Sequence, residues 1–208
     1  MTDWKDMIAS EAALREKLGA PSELAVKKEI QLIDHHAASF IARSPFLVMA
    51  TADASGSCQA SPRGDQPGFV RVLDDQRLVI PERPGNKRFD SLLNLIENPR
   101  IGLEFFIPGM GETLRVNGTA VLTEEEDLLA SMAMKEKKPW LAIGVTVESC
   151  FVHCAKALRR SELWKPDTWP PVESLPRAAE MIKAHAASEQ SAAELEERLQ
   201  TGYRERLY

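Results

Sequence analysis

The sequence has no apolar run approaching the roughly 20 residues that a helix needs to cross a bilayer. Its start, Met1-Thr2-Asp3-Trp4-Lys5-Asp6, is polar and has none of the apolar core of a signal peptide. Cysteine is scarce. Three residues, an odd number, do not make a disulfide framework, and a reducing, cytoplasmic location is the expectation. Positive charge is not in excess either: 26 Lys and Arg stand against 31 Asp and Glu. No broad basic face is therefore available to displace counterions from nucleic acid. What is present is an ordinary globular composition, 44% hydrophobic and 27% charged over 208 residues. That supports a sizeable core in one domain, or one domain with an appendage.

Hydrophobic spacing divides the chain into three stretches. Residues 1–43 read as a helical lead-in: helix over 7–18, ended by Gly19-Ala20-Pro21, then a second helix over 24–43 with apolar positions at 26, 30, 33, 37, 40 and 41. Residues 44–165 then switch to strands, at 46–51, 58–63, 69–73, 77–80, 101–107, 114–122 and 140–154, the last bent near Gly144. Turns are expected at Asp53-Ala-Ser-Gly56, Asp74-Asp75-Gln76 and Pro108-Gly-Met-Gly111. Helices interrupt them, one opening near Asn86 with apolar positions at 89, 92, 93 and 96, another over 124–137. Short strands joined mostly by hairpins predict a small antiparallel barrel, which closes its edges on itself. In residues 166–208 a linker containing Pro166, Pro170 and Pro171 leads into an alanine- and glutamate-rich helical extension from 174. The apolar stripe of that extension is too narrow for independent stability, so it is expected to pack on the barrel or on a second subunit.

Three clusters bear on chemistry. Ser61-Pro62-Arg63-Gly64-Asp65 ends a strand, and its composition alone reads as a turn with a surface arginine. Ile80-Pro81-Glu82-Arg83-Pro84-Gly85-Asn86-Lys87-Arg88 runs from a strand into a helix start. There, cations oppose the helix dipole unless an anion is bound. Arginine would grip a phosphate through two charge-assisted hydrogen bonds, although a solvated basic turn accounts for the same residues. Lys156-Ala-Leu-Arg-Arg160-Ser-Glu-Leu-Trp164 sets cations beside an indole, suited to a ring-bearing anion or simply to packing on the core.

Taken together with Pro45–Thr51, Gly68-Phe-Val70, Asn98-Pro99, Thr113-Leu-Arg115-Val-Asn-Gly118 and Cys150–Lys156, these segments resemble the pyridoxamine 5′-phosphate oxidase-like flavoproteins. The chain looks most like the FMN-dependent enzyme branch of that class, over roughly residues 30–165. The resemblance implies a six-stranded FMN-binding split β-barrel, predominantly antiparallel, working as a homodimer with FMN in a groove at the subunit interface. It implies flavin contacts from Ser61, Pro62, Arg63 and Gly64, ring contacts from Ile80 and Pro81, and a phosphate clamp from Asn86, Lys87 and Arg88. Thr113 and Arg115 stand where the oxidase often has glutamine beside the flavin. Lys156, Arg160 and Trp164 match the closing motif of the branch and would complete the pocket from the partner subunit. The oxidase itself has a C-terminal Arg-x-His segment that grips its pyridoxal phosphate substrate. Here Trp164 is followed by Lys-Pro-Asp-Thr-Trp, so oxidation of vitamin B6 phosphates is not expected.

The functional expectation is an FMN-dependent oxidoreductase moving a hydride to or from a small molecule, with no protein acid or base identified. The alternative is a flavin- or haem-binding storage or sensor protein, or one handling F420 or haem on the same fold. Cys150, His153 and Cys154 do not complete a metal site, because two thiolates fall short of the usual four ligands. His35 and His36 are expected on a helix as packing residues, one buried and one exposed. Tyr203 and Tyr208 in the extension are candidates to cover a partner's flavin.

Overall fold

Local capping chemistry sets the first elements. The computed structural model describes residues 4–208, and residues 1–3 of the expected lead-in lie outside them. Helix α1 (Glu11–Leu18) starts where the Ser10 hydroxyl accepts from the Ala13 amide, and it ends at Gly19 with φ 80°. Helix α2 (Glu23–Lys27) starts at Ser22 in the same way.

The single helix expected over 24–43 is instead broken in two. Ile30 exchanges backbone hydrogen bonds with Cys150, at 3.0 and 2.7 Å, and Asp34 then caps a new helix, α3 (His35–Arg43). The amides of the distant strand that carries Cys150 need a partner, and that pairing overrides local helical spacing. Ile33, Ala37, Phe40 and Ile41 bury themselves in the barrel core.

The strands are β1 (Phe46–Ala52), β2 (Cys58–Gly64), β3 (Arg71–Val72), β4 (Arg77–Pro81), β5 (Arg100–Phe106), β6 (Thr113–Thr123) and β7 (Ala142–His153). They form one antiparallel sheet in the order β2-β1-β5-β6-β7-β4-β3. This is the expected split-barrel architecture with seven strands rather than six; the extra one is the two-residue β3. Alternation supplies the core: Leu47 and Met49 on β1, Ile101, Leu103 and Phe105 on β5, and Leu114 and Val116 on β6 point inward. On β7 the inward positions run Ile143, Val145, Val147 and then Cys150.

That change of parity marks a β-bulge. Asn117 pairs with Ser149 and Gly118 with Val147, leaving Glu148 as the extra residue. The irregularity expected near Gly144 therefore lies at Glu148, opposite Gly118. The Cys150 thiol, buried beside it, is pushed up to about 11, first by burial and then by the charge of Asp34. Near neutral pH a thiol-reactive disulfide reagent should modify exposed Cys58 and Cys154 promptly and Cys150 only on unfolding. Prompt reaction of all three would contradict this packing.

Helix α4 (Asp90–Glu97) begins at Asp90 rather than near Asn86, because Lys87 and Phe89 adopt left-handed φ of 61° and 59°. Its buried face is Ser91, Leu92, Asn94 and Leu95, with Asn94 donating to Thr51 on β1 at 3.1 Å. That polar anchor rotates the expected apolar positions outward: Phe89, Leu93 and Ile96 are exposed.

The helix expected over 124–137 is only α5 (Glu126–Ser131). Beyond it Met134 and Lys137 exchange hydrogen bonds around Lys135 and Glu136, both at positive φ, the geometry of a type I′ turn built without glycine. After α6 (Lys156–Arg160) and two short 3₁₀ turns, α7 (Ala178–His185) and α8 (Ala192–Glu205) pack on each other. A capping box between Ser191 and Glu194 opens α8. No helix among the described residues is long and apolar enough to cross a membrane.

Candidate functional site

The two ends of the strand order meet without a backbone ladder. β2 lies at one end, β4 and β3 at the other, and no backbone pairing links β2 to either. Side chains bridge the seam instead. Arg63, near the end of β2, donates through Nη1 to Glu82, just beyond β4. Arg83 donates in the opposite sense, from the β4 side to Asp65 at 2.8 Å and to the Met132 carbonyl at 2.9 Å. Both pairs are well shielded; the Asp65 side chain is only 1% exposed. Burial pushes the Glu82 carboxyl above its ordinary value, and Arg63 offsets that only in part.

Along this seam runs a groove of about 650 Å³. Ser61, Pro62, Arg63 and Gly64 form one wall, and Pro81 with the loop from Glu82 to Phe89 forms the other. Arg63 Nε is buried here and has no hydrogen-bond partner among the described residues. A buried guanidinium N–H without an acceptor is costly, and an anionic oxygen in the groove would satisfy it.

The opposite wall is strained. Two left-handed residues within three positions, Lys87 and Phe89, cost about 1–3 kcal/mol each. They splay the Asn86–Arg88 segment off the start of α4, with the Asn86 side chain accepting from the Arg88 amide at 3.0 Å. The expected clash between cations and the helix dipole does not arise, since both cations precede the helix and Asp90 occupies its first turn. Arg88 pairs with Asp90 at 2.8 Å and is largely exposed. Lys87 has no carboxylate partner among the described residues, and its ammonium lies 5.7 Å from the Trp140 ring centre.

The structure thus collects Ser61, Pro62, Arg63, Gly64, Pro81, Asn86, Lys87 and Arg88 on one groove of a single chain. Ile80 sits behind Pro81, fully buried in the core. The remaining expected residues lie elsewhere. Thr113 and Arg115, on β6, both donate to Glu104 on β5, Arg115 at 3.2 Å. Lys156 and Arg160 are the first and last residues of α6, and Trp164 donates its indole N–H to the Met110 carbonyl at 2.7 Å.

Charge alternation at 63/65 and 82/83 was the signal for the seam pairs, unread because pairing across the sheet is not visible in linear order. Tyr208, a candidate to cover a partner's flavin, lines the groove of its own chain, where its hydroxyl donates to Asp65 at 2.8 Å. That bond, with burial, raises the Tyr208 phenol above its ordinary value. His35 and His36 are both exposed, contrary to the expectation of one buried. Asp34 caps α3 just before them, and Ala37 and Phe40 take the core-facing positions. Donor atoms of Asp34, His35 and His36 lie within 4.8 Å of one another.

Comparison with known proteins finds many partial structural likenesses. HupZ of Group A Streptococcus is 20% identical, with 58% of this chain and 93% of that chain covered and a TM-score of 0.47. General Stress Protein 26 of Bacillus anthracis is 12% identical, with 55% and 88% covered and a TM-score of 0.43. An FMN-binding protein of Syntrophomonas wolfei is 12% identical, with 56% and 82% covered and a TM-score of 0.44. No curated protein matches the chain. The family model described as pyridoxamine 5′-phosphate oxidase matches residues 33–154, which is more than half of the sequence and includes the barrel and both walls of the groove. The chain belongs to the pyridoxamine 5′-phosphate oxidase family.

Proposed function

We propose that the protein is an FMN-dependent oxidoreductase that acts on a small molecule as a homodimer. The observation that carries this reading is the unsatisfied, buried Arg63 Nε in a groove whose facing wall presents Lys87 and Asn86. Those donors fit a phosphate-bearing cofactor. Arg63, Lys87 and Arg88 would hold its doubly negative group, with Ser61, Pro62, Gly64 and Pro81 lining the space beside it. When bound, FMN supplies hydride transfer at its N5 position. The residues of the chain bind and orient: Glu82 and Asp65 fix the two seam arginines, and the Lys87–Phe89 backbone holds the opposite wall open.

Thr113, Arg115, Lys156, Arg160 and Trp164 are proposed to reach the flavin of the partner subunit. Phe89, which lines the groove, continues into the exposed stripe of Leu93 and Ile96, and a second copy would bury it. A cytoplasmic location is proposed on the three cysteines, none of them paired. The division into lead-in, barrel and helical extension at residues 43 and 165 is likewise proposed.

Purified protein should be yellow and release FMN on denaturation, and a nicotinamide reductant should bleach it with reoxidation in air. The Lys87→Glu, Arg88→Glu double variant should lose bound FMN while sedimenting as the same dimer as the parent. Full FMN occupancy in that variant would refute the phosphate placement, and absence of FMN from the native protein would refute the function.

A further inference from the structure

A second cavity, larger than the groove, lies behind its far wall. It measures about 1240 Å³ and runs between the 83–87 loop, the 137–140 segment and helix α8. The two spaces share the Arg83–Lys87 segment, Leu207 and Tyr208, so one strip of chain divides them.

Its floor is apolar, formed by Trp140, Ile182, Leu195 and Leu199 with Tyr203 and Leu207. Ile182, Trp140 and Tyr203 are 41%, 49% and 59% exposed, a large apolar surface left uncovered for a chain of this size. The rim is predominantly basic. Arg83, Lys87, Lys137, Lys138, Arg198 and Arg206 border it against a single acidic side chain, Glu205, with Arg83 paired to Asp65 and Lys138 to Glu126. Of these, Lys87, Arg198 and Arg206 have no carboxylate partner among the described residues. Lys137 donates to the Tyr208 carbonyl at 2.8 Å.

The strained I′ turn at Lys135 and Glu136 also serves this place. It brings Lys137 to the rim and the Lys135 ammonium to 5.1 Å from the Tyr208 ring centre. Strain persists where surrounding structure enforces it, and it clusters at ligand sites. A cavity with an apolar floor and a few converging cations selects a molecule with an apolar body and a negative head.

We propose that this second cavity binds an amphipathic anion, an aromatic or aliphatic body carrying one carboxylate or sulfonate, with its body on Trp140 and α8 and its head between Arg198 and Arg206. The site shares the Arg83–Lys87 strip with the groove, but its floor and its head-group cations come from Trp140, α7 and the α8 end, and nothing of the β2 wall lines it.

The test uses the full chain with saturating FMN and an anilinonaphthalene sulfonate probe. One probe should bind per chain with enhanced emission and quench Trp140 fluorescence. Decanoate should displace it, whereas decanol, with a chain of the same length, should compete at least tenfold less well. Arg198→Glu with Arg206→Glu, both exposed and safe for folding, should weaken binding roughly tenfold. Ile182→Glu should abolish it with the unfolding temperature unchanged.

Equal competition by decanol, or unchanged binding in both variants, would overturn the proposal. So would probe that FMN displaces, since the cavity would then be part of the flavin groove, or probe that binds only after the dimer is dissociated, since a second copy would then fill it. Probe binding without FMN binding would leave this proposal standing and sink the flavin reading alone.

Discussion

Gly118→Ala is expected to cost about 3 kcal/mol or more, at or above the upper end of overpacking substitutions. A methyl group there would lie 2.0 Å from the Thr146 carbonyl oxygen and 3.2 Å from the Val147 Cα, both backbone atoms of β7. Neither can step aside as a flexible side chain would, so the β6–β7 ladder must part at the bulge. For a chain of this size the loss corresponds to a fall of roughly 6–12 °C in melting temperature. Gly144→Ala is the control: its methyl group would reach no nearer than 3.4 Å, to a Val121 side-chain atom. Calorimetry should separate the two clearly. Equal losses would mean that the bulge does not require glycine.

Arg63→Met should cost about 3–5 kcal/mol at neutral pH, as breaking a buried ion pair leaves Glu82 charged and alone. Burial already raises the Glu82 carboxyl in the folded protein, so the stability it contributes is present below its unfolded value and is lost as pH rises through the folded one. Without Arg63 the folded value rises further and that window widens. Denaturant titrations should therefore show the largest gap between variant and parent near neutrality, closing toward acid, where Glu82 is protonated in both. A gap independent of pH would mean that Glu82 is not the group left stranded. The same variant should fail to retain FMN at any pH.

Strand positions were legible in the sequence wherever alternation was clean and a turn residue followed, as at β1, β2, β5 and β6. The first helix was legible at its end, where Gly19 stops it, whereas its start, expected at residue 7, lies at Glu11 behind the Ser10 cap. Other interruptions were set by partners far along the chain, Cys150 stopping the helix before Ile30 and Thr51 turning α4, or by a local turn, Met134–Lys137, that cuts α5 short. The groove divides the same way. Its basic residues lie in two short segments that composition singles out, so they were found. The acids that hold the seam were visible as letters but not as partners, because only the curl of the sheet brings β2 beside β4. The second cavity was not legible at all, since its floor joins the extension to the barrel through residues more than forty positions apart.

The seam also decides how this molecule can breathe. Elsewhere, widening the barrel means tearing a row of backbone hydrogen bonds. Between β2 and β4 it means sliding two pairs of charged side chains past one another, with the Tyr208 hydroxyl as a third clasp. The cheapest large-scale distortion of the fold is therefore one that opens the space between Arg63 and Lys87. High ionic strength, which weakens charge pairs once water reaches them, should make that opening easier while leaving the sheet intact.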